Sequence, residues 1–388
     1  MGIEFLVGHA DHHKMQDFLA RDHDGVSAVI LDAKAGSHQE ELADFAAAEG
    51  LAVLRDPRTD RLEHPGLHLE QIPGYRAEGY DLKQLAANPG ARAELTERVL
   101  ATQVGLVTAM TPAYFFGVDK RALHLNFTLA EAAQAQSDEP VRPIVTLRSR
   151  TPIELVEELA SEYMHAGFEQ IDLRISPLGG ETDSLVKVRF AFAAADAFAT
   201  NGLRVTLGHS GNIGQVGYAL GHVDAFSVGI GMREKVNLAS DYSRQALEPK
   251  LDENGKKIGG GAWEGVYIPA LAMTLSKARA EVLLGHSDLR TRIGRCRIGA
   301  CSASLTGPLE DHRTHYMHAK AAEVALLQNT PTPWQAEAEA EAKRLGRALE
   351  LRELVNKEYK RRGEKVLATR TLESLVDDIG EAKVAAVA

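Results

Sequence analysis

Short runs of β-branched and aliphatic residues alternate with longer amphipathic stretches along most of this chain, a pattern that predicts repeated strand–helix units. Eight runs read as strands: Ile3–Val7, Ala28–Leu31, Ala52–Leu54, Leu106–Met110, Ile144–Leu147, Gln170–Ile175, Arg204–Leu207 and Ala225–Ile230. The stretches between them carry helix signals. Gln39–Glu49 ends at Gly50, Thr151–His165 opens on Thr-Pro and closes at Gly167, and the alanine-rich Leu185–Thr200 stops at Asn201-Gly202. Eight strands with helical crossovers favour an α/β fold of the closed (β/α)8 TIM-barrel type over an open doubly wound sheet. An open sheet usually shows a glycine fingerprint after its first strand, and Gly8-His9-Ala10-Asp11 is not one.

The pattern breaks in three places. Residues 56–90 carry Pro57, Pro65, Gly66, Pro73, Gly74 and Gly79, too many breakers for one helix. They read as an insertion on the C-terminal face, where a lid or partner surface forms. Glu248–Gly261 is charged and glycine-rich and predicts a loop or hairpin. After Pro333 the composition turns to Ala, Glu, Lys, Arg and Leu, which predicts a charged helical extension suited to packing or dimerisation. The expected organisation is a barrel over 1–245, a loop with a small following region over 246–332, and a helical tail over 333–388. A homo-oligomer or a subunit of a complex is the expected state.

Composition narrows the partners. A formal charge of −10 argues against broad binding to nucleic acid through a basic surface, and the cluster Arg290, Arg292, Arg295 and Arg297 reads as a solvated turn. Two cysteines are too few for a disulfide framework. Met1–Glu4 has no basic leader, and no run approaches the roughly 20 apolar residues of a membrane span. The expectation is a cytoplasmic protein with no membrane partner.

In a barrel, chemistry gathers where the strands end. Those positions hold His9 and Asp11, Asp32, Arg55 and Asp56, Thr111, Arg148, Arg174 and Ser176, His209 and Ser210, and Gly231 and Arg233. Asp32, Asp56 and His209 are the candidate acids and bases. His9-Ala10-Asp11-His12-His13 has two readings: a zinc or iron site serving a metal-dependent lyase or hydrolase with His209, or a polar helix start capped by Asp11. Arg148 and Arg174 either clamp a phosphate or carboxylate or neutralise Asp32 and Asp56. Gly208 to Gly214, with Ser210, Gly211 and Asn212, is either an anion-binding loop or a tight turn. His9, Asp11, Arg148, Arg174, Ser210, Gly211, Asn212 and Arg233 are thus the candidate substrate contacts.

Three features then follow in order. Leu207-Gly208-His209 leads to Gly221-His222-Val223-Asp224-Ala225-Phe226, Cys296-Arg297-Ile298-Gly299-Ala300-Cys301 comes later, and a helix from His312 to Leu327 precedes Gln328-Asn329. From Val205 to about Asn329 this order resembles the tRNA-guanine transglycosylase superfamily, barrels that exchange a guanine base for a deazaguanine and carry a zinc-binding subdomain. The resemblance spans about a third of the chain. It implies a purine-like base or nucleotide as ligand, free or within nucleic acid, and zinc as cofactor. Cys296 and Cys301 overlay the family's cysteine motif, and His315 or His318, at i and i+3 on one helical face, would complete the ligand set. The chain departs from the family at Ser227, where the nucleophilic aspartate would stand, at Ile298 for the middle cysteine, and at Gln328 for the ligand histidine. The early Asp-Ser-Gly-Gly-Phe loop is absent. A carboxylate nucleophile therefore has no candidate at position 227, and a noncatalytic barrel subunit is the alternative.

Overall fold

The computed structural model describes residues 2–387 except 22, 65, 67, 68, 104, 107, 111–118, 180–182, 232, 233, 246, 248–252, 254–264, 294, 295, 297–306 and 330–334. Nine strands build the central sheet: β1 (Ile3–Leu6), β2 (Val26–Asp32), β3 (Ala52–Asp56), β4 (Ala109–Met110), β5 (Val141–Arg142), β6 (Ile144–Arg148), β7 (Gln170–Ser176), β8 (Arg204–Leu207) and β9 (Ala225–Gly229). Seven of them are hydrogen-bonded in the order β3-β2-β1-β9-β8-β7-β6, every pair parallel. The first strand thus lies between the second and the last, the signature of a sheet curled upon itself. The remaining arc is closed by β4, which contacts β3 and pairs in parallel with β5. Pro143 has no N–H to give, so it divides β5 from β6 within one continuous stave. Its carbonyl still accepts from the Asp172 N–H at 2.8 Å. The fold is a (β/α)8 barrel, and each of the eight expected strands has its counterpart.

Alternation along the staves explains the layering. Phe5 faces the helices and meets Phe18 edge-on at 6.1 Å, whereas Leu6 points into the barrel with Ala28, Ile30, Leu54, Met110 and Ile144. Below that apolar layer the interior is ionic. Arg142 grips Glu4 with two hydrogen bonds of 3.0 and 2.9 Å, and Thr206 adds a third to the same carboxylate at 3.1 Å. Two opposite charges in bidentate contact replace the aliphatic filling usual at this depth.

The insertion after β3 forms a turn of 3-10 helix at Thr59–Glu63 and a helix at Leu82–Ala87. Leu62, Leu69, Ile72 and Leu85 pack there with Leu95 and Leu129 into a small core of its own. Beyond the barrel, β10 (Gly265–Ile268) and β11 (Met273–Ser276) pair as an antiparallel hairpin. Most of the glycine-rich stretch Glu248–Gly261 lies outside the described residues.

The charged extension is well integrated. Its helices, Gln335–Arg362 and Arg370–Val387, and the connection between them place Val355, Tyr359 and Leu367 against the hairpin, and Leu345, Ala348, Leu372 and Leu375 against the barrel helices. Arg352 is fully buried and donates to the carbonyls of Leu271, Ala272 and Ala368. No helix among the described residues is long and apolar enough to cross a membrane.

Candidate functional site

The C-terminal rim collects charge from β2, β3 and the insertion after it, β7 and β8. Asp56 ends β3 with its carboxylate buried, and Arg174 of β7 reaches it at 3.1 Å. The same guanidinium lies 3.0 Å from Asp172, so one cation stands between two carboxylates. Gly208 at the end of β8 makes this fit possible: a Cβ there would come within 2.3 Å of Asp172 Oδ1 and 2.9 Å of Arg174 Cγ. His209 follows and brings Nε2 to 3.8 Å from Asp56. From the insertion, Arg58 donates its N–H to Asp56 and its guanidinium to Asp32, both at 2.9 Å.

Arg58 and His209 both adopt left-handed backbone, with φ of 56° and 52°. Such a conformation costs a side-chain-bearing residue about 1–2 kcal/mol. Two of the three non-glycine residues in this conformation among the described residues therefore flank one aspartate. Strain concentrated in this way is characteristic of sites whose geometry is set for work.

The electrostatics separate two carboxyls. Burial alone would raise Asp56, but Arg174, His209 and Arg58 outweigh it and hold the carboxyl well below the usual range. Asp60, four residues on, is raised by burial and then by the negative charge of Asp56. Lys34, just past β2, is lowered to about 8 by burial and by the neighbouring Arg58 and Arg61. The rim thus holds one carboxyl shifted toward its ionised form, one shifted the other way and an amine lowered to about 8.

Several expected contacts take other positions. Arg148 is exposed, while Arg174 is saturated by Asp56 and Asp172, so the arginine reading realised at Arg174 is neutralisation. Asp32 is likewise satisfied, by Arg58 instead of an arginine of the strands. His9 is exposed and packs edge-on against His38. Asp11 occupies the N-cap position but makes no side-chain cap bond, because its carboxylate pairs with Arg313. Among the described residues His9, Asp11 and His209 belong to no group close enough to share a metal.

Three donors of the loop after β8 stay within the protein: His209 N–H goes to Ser227 Oγ, Ser210 N–H to the Ser227 carbonyl, and Ser210 Oγ to the Leu207 carbonyl. Asn212 turns away to the Ala272 carbonyl and to Lys320. Gly211, at φ 54°, sits against Glu234. Thr111, Arg233 and Cys301 lie outside the described residues. Arg58, Asp60, Arg61 and Lys34 were missed from sequence. The charge-dense run Asp56-Pro57-Arg58-Thr59-Asp60-Arg61 directly after a strand was the signal that could have found three of them.

A second constellation lies off the barrel axis. Cys296, His315 and His318 bring one donor atom each to within 4.8 Å of one another. These are three of the four residues expected to hold zinc.

No protein-family model matches the chain, and no curated protein does. Among solved structures it is similar to a deoxyribose phosphate aldolase from Aeropyrum pernix, with 13% identity over 62% of this chain and 88% of that one and a TM-score of 0.36. It is also similar to a tryptophan synthase alpha subunit from Campylobacter jejuni, at 14% identity, 62% and 92% coverage and a TM-score of 0.34. A 3-dehydroquinate dehydratase from Enterococcus faecalis follows at 11% identity, 58% and 87% coverage and a TM-score of 0.34. The barrel assignment rests on the strand order itself.

Proposed function

We infer that the chain is an enzyme whose barrel rim runs acid–base chemistry on the bond to a purine-like base. The observation that carries this reading is the opposite tuning of two neighbouring carboxyls beside Arg174 and His209: Asp56 is shifted toward its ionised form by Arg174, and Asp60 is shifted the other way by burial and by Asp56. Cleaving or exchanging an N-glycosidic bond requires that pair of states. An acid protonates the departing base, and a carboxylate meets the positive charge that develops at the sugar carbon. Asp60 supplies the first role and Asp56 the second, with His209 3.8 Å away as proton relay. Asp32 acts indirectly by fixing Arg58. Lys34 and Arg61 give the rim a basic border suited to a nucleotide phosphate, free or within a nucleic acid.

The resemblance to transglycosylases over Val205–Asn329 selects a purine-like base among the possible leaving groups. It also requires the carboxylate role to have moved, because Ser227 instead receives the His209 N–H. Calorimetric titration with deazaguanine bases and nucleotides tests the reading. Saturable heat is expected for the natural chain, with affinity or turnover reduced at least tenfold in Asp60→Asn and in Asp56→Asn. No heat with any member of the set would remove the proposal. Ser227 favours a second reading, a noncatalytic barrel subunit, and a chain that exchanges bases when purified alone would refute it.

A further inference from the structure

We propose that Tyr242 is a substrate-contacting residue of the rim site, carried over the barrel mouth by the segment Val236–Gln245, and that its hydroxyl donates to an oxygen of the ligand. The proposal rests on the acid–base reading of the rim and adds a residue to it.

The segment is fastened on two sides of the opening. Val236 and Leu178 exchange backbone hydrogen bonds of 2.8 and 3.0 Å, and the Leu238 N–H donates to Ser176 Oγ at 3.0 Å. Ser176, the last residue of β7, is therefore an anchor for the segment. The helix Leu238–Gln245 then takes Tyr242 to the insertion after β3, where its ring meets His64 edge-on at 4.4 Å. Asp241 adds its charge beside Arg61 of the same insertion. β3 and β7 are not neighbours: β4 and the stave of β5 and β6 stand between them. A segment fixed at Ser176 and at His64 thus crosses the mouth. Asp56 and Arg174 join the same two staves one level deeper.

Two hydroxyls at this junction point to a ligand. Tyr242 is 9% exposed and Thr59 1%, and neither hydroxyl makes a hydrogen bond among the described residues. A buried polar group left in that state costs about 1–3 kcal/mol, a cost removed when a ligand atom completes the bond. Both residues adjoin Asp60. Thr59 precedes it in the chain, and the charges of Asp60 and Glu63 bear on the Tyr242 phenol. Burial and those two carboxyls push the phenol up, so it keeps its proton and has it to donate. The matching group is an acceptor oxygen, either the carbonyl of a purine-like base or an oxygen of its sugar.

The attachment is light. Val236, Leu238 and Tyr242 form a small cluster separate from the barrel core. Such a segment opens at a lower free energy than the staves beneath it. Opening admits the ligand, because Asp56 and Arg174 are both buried while the segment is in place.

Calorimetry with a deazaguanine base and with its nucleoside tests the contact on the full-length chain. Tyr242→Phe keeps the ring on His64 and removes the hydroxyl. Binding should weaken about tenfold, with an unchanged melting temperature, because the free chain loses no hydrogen bond. A loss already seen with the base assigns the acceptor to the base carbonyl, and a loss confined to the nucleoside assigns it to the sugar. Equal affinity of the natural and Tyr242→Phe chains for both ligands would overturn the contact and leave the base-binding reading standing. A lower melting temperature with unchanged affinity would mark the hydroxyl as structural and overturn it too. No heat from the natural chain would remove the reading on which the contact rests. Hydrogen exchange tests the segment without any ligand. The amides of Leu178, Val236 and Leu238 should exchange about a hundredfold faster than those of β8, and protection equal to β8 would overturn the opening.

Discussion

Lys34 shows how the rim changes the chemistry of a single residue. An ammonium at this place is partly withdrawn from water and faces Arg58 and Arg61, so the neutral amine is favoured and the pKa falls from 10.5 to about 8. The sign is definite: a lowered pKa means that the nucleophilic form becomes half populated two to three units earlier than on an ordinary surface lysine. Modification by an acylating reagent, followed by mass spectrometry across a pH series, should give a midpoint near 8 for Lys34. A midpoint near the ordinary lysine value of 10.5 would contradict this account. Gly208 makes the opposite case, a residue important for the atom it lacks. Gly208→Ala places a methyl 2.3 Å from Asp172 Oδ1. It should cost about 1–3 kcal/mol, as overpacking does elsewhere. It should also release Arg174 from Asp172. Thermal unfolding measures the first effect and a crystal structure of the variant the second.

At the scale of elements, the strands and main helices were legible in the sequence and the rim was only partly so. The strands were found because each is a local run of aliphatic residues, and their observed bounds at Arg204–Leu207 coincide with the expectation. Helices such as Leu185–Thr200 were found for the same reason, from an alanine-rich run stopped by Asn-Gly. The hairpin of β10 and β11 was not anticipated, since its stability comes from tail residues about 80 positions later, such as Val355. Asp32, Asp56 and His209 were visible because they end strands. Their partners were not, because Arg58 meets Asp32 only after the insertion folds back over the rim. The helix His312–Gln328 is a further case. Its hydrophobic pattern says little, yet it sends Arg313 to Asp11, Tyr316 to Glu234 and Lys320 to Asn212. Each of these contacts joins residues from distant parts of the chain, and no local rule encodes them.

For the whole molecule the ionic layer inside the barrel has the largest energetic leverage. Arg142 and Glu4 are both buried, and their mutual hydrogen bonds offset the cost of removing them from water. Arg142→Met leaves the Glu4 carboxylate without its cation and should destabilise the chain by about 3–5 kcal/mol in urea unfolding. Pairing it with Glu4→Leu should recover most of that loss, because a matched apolar pair restores the interior. If the single substitution costs less than about 1 kcal/mol, the pair is not the internal brace described here.

The circular strand order also has a consequence for synthesis. Glu4 leaves the ribosome well ahead of its partners, since Arg142 and Thr206 lie 138 and 202 residues behind it. Until Arg142 emerges Glu4 is an uncompensated acid, and until β9 emerges β1 presents an open sheet margin. Assembly with such distant partners is slow, and in that interval the nascent chain is most exposed to misassociation with its own copies.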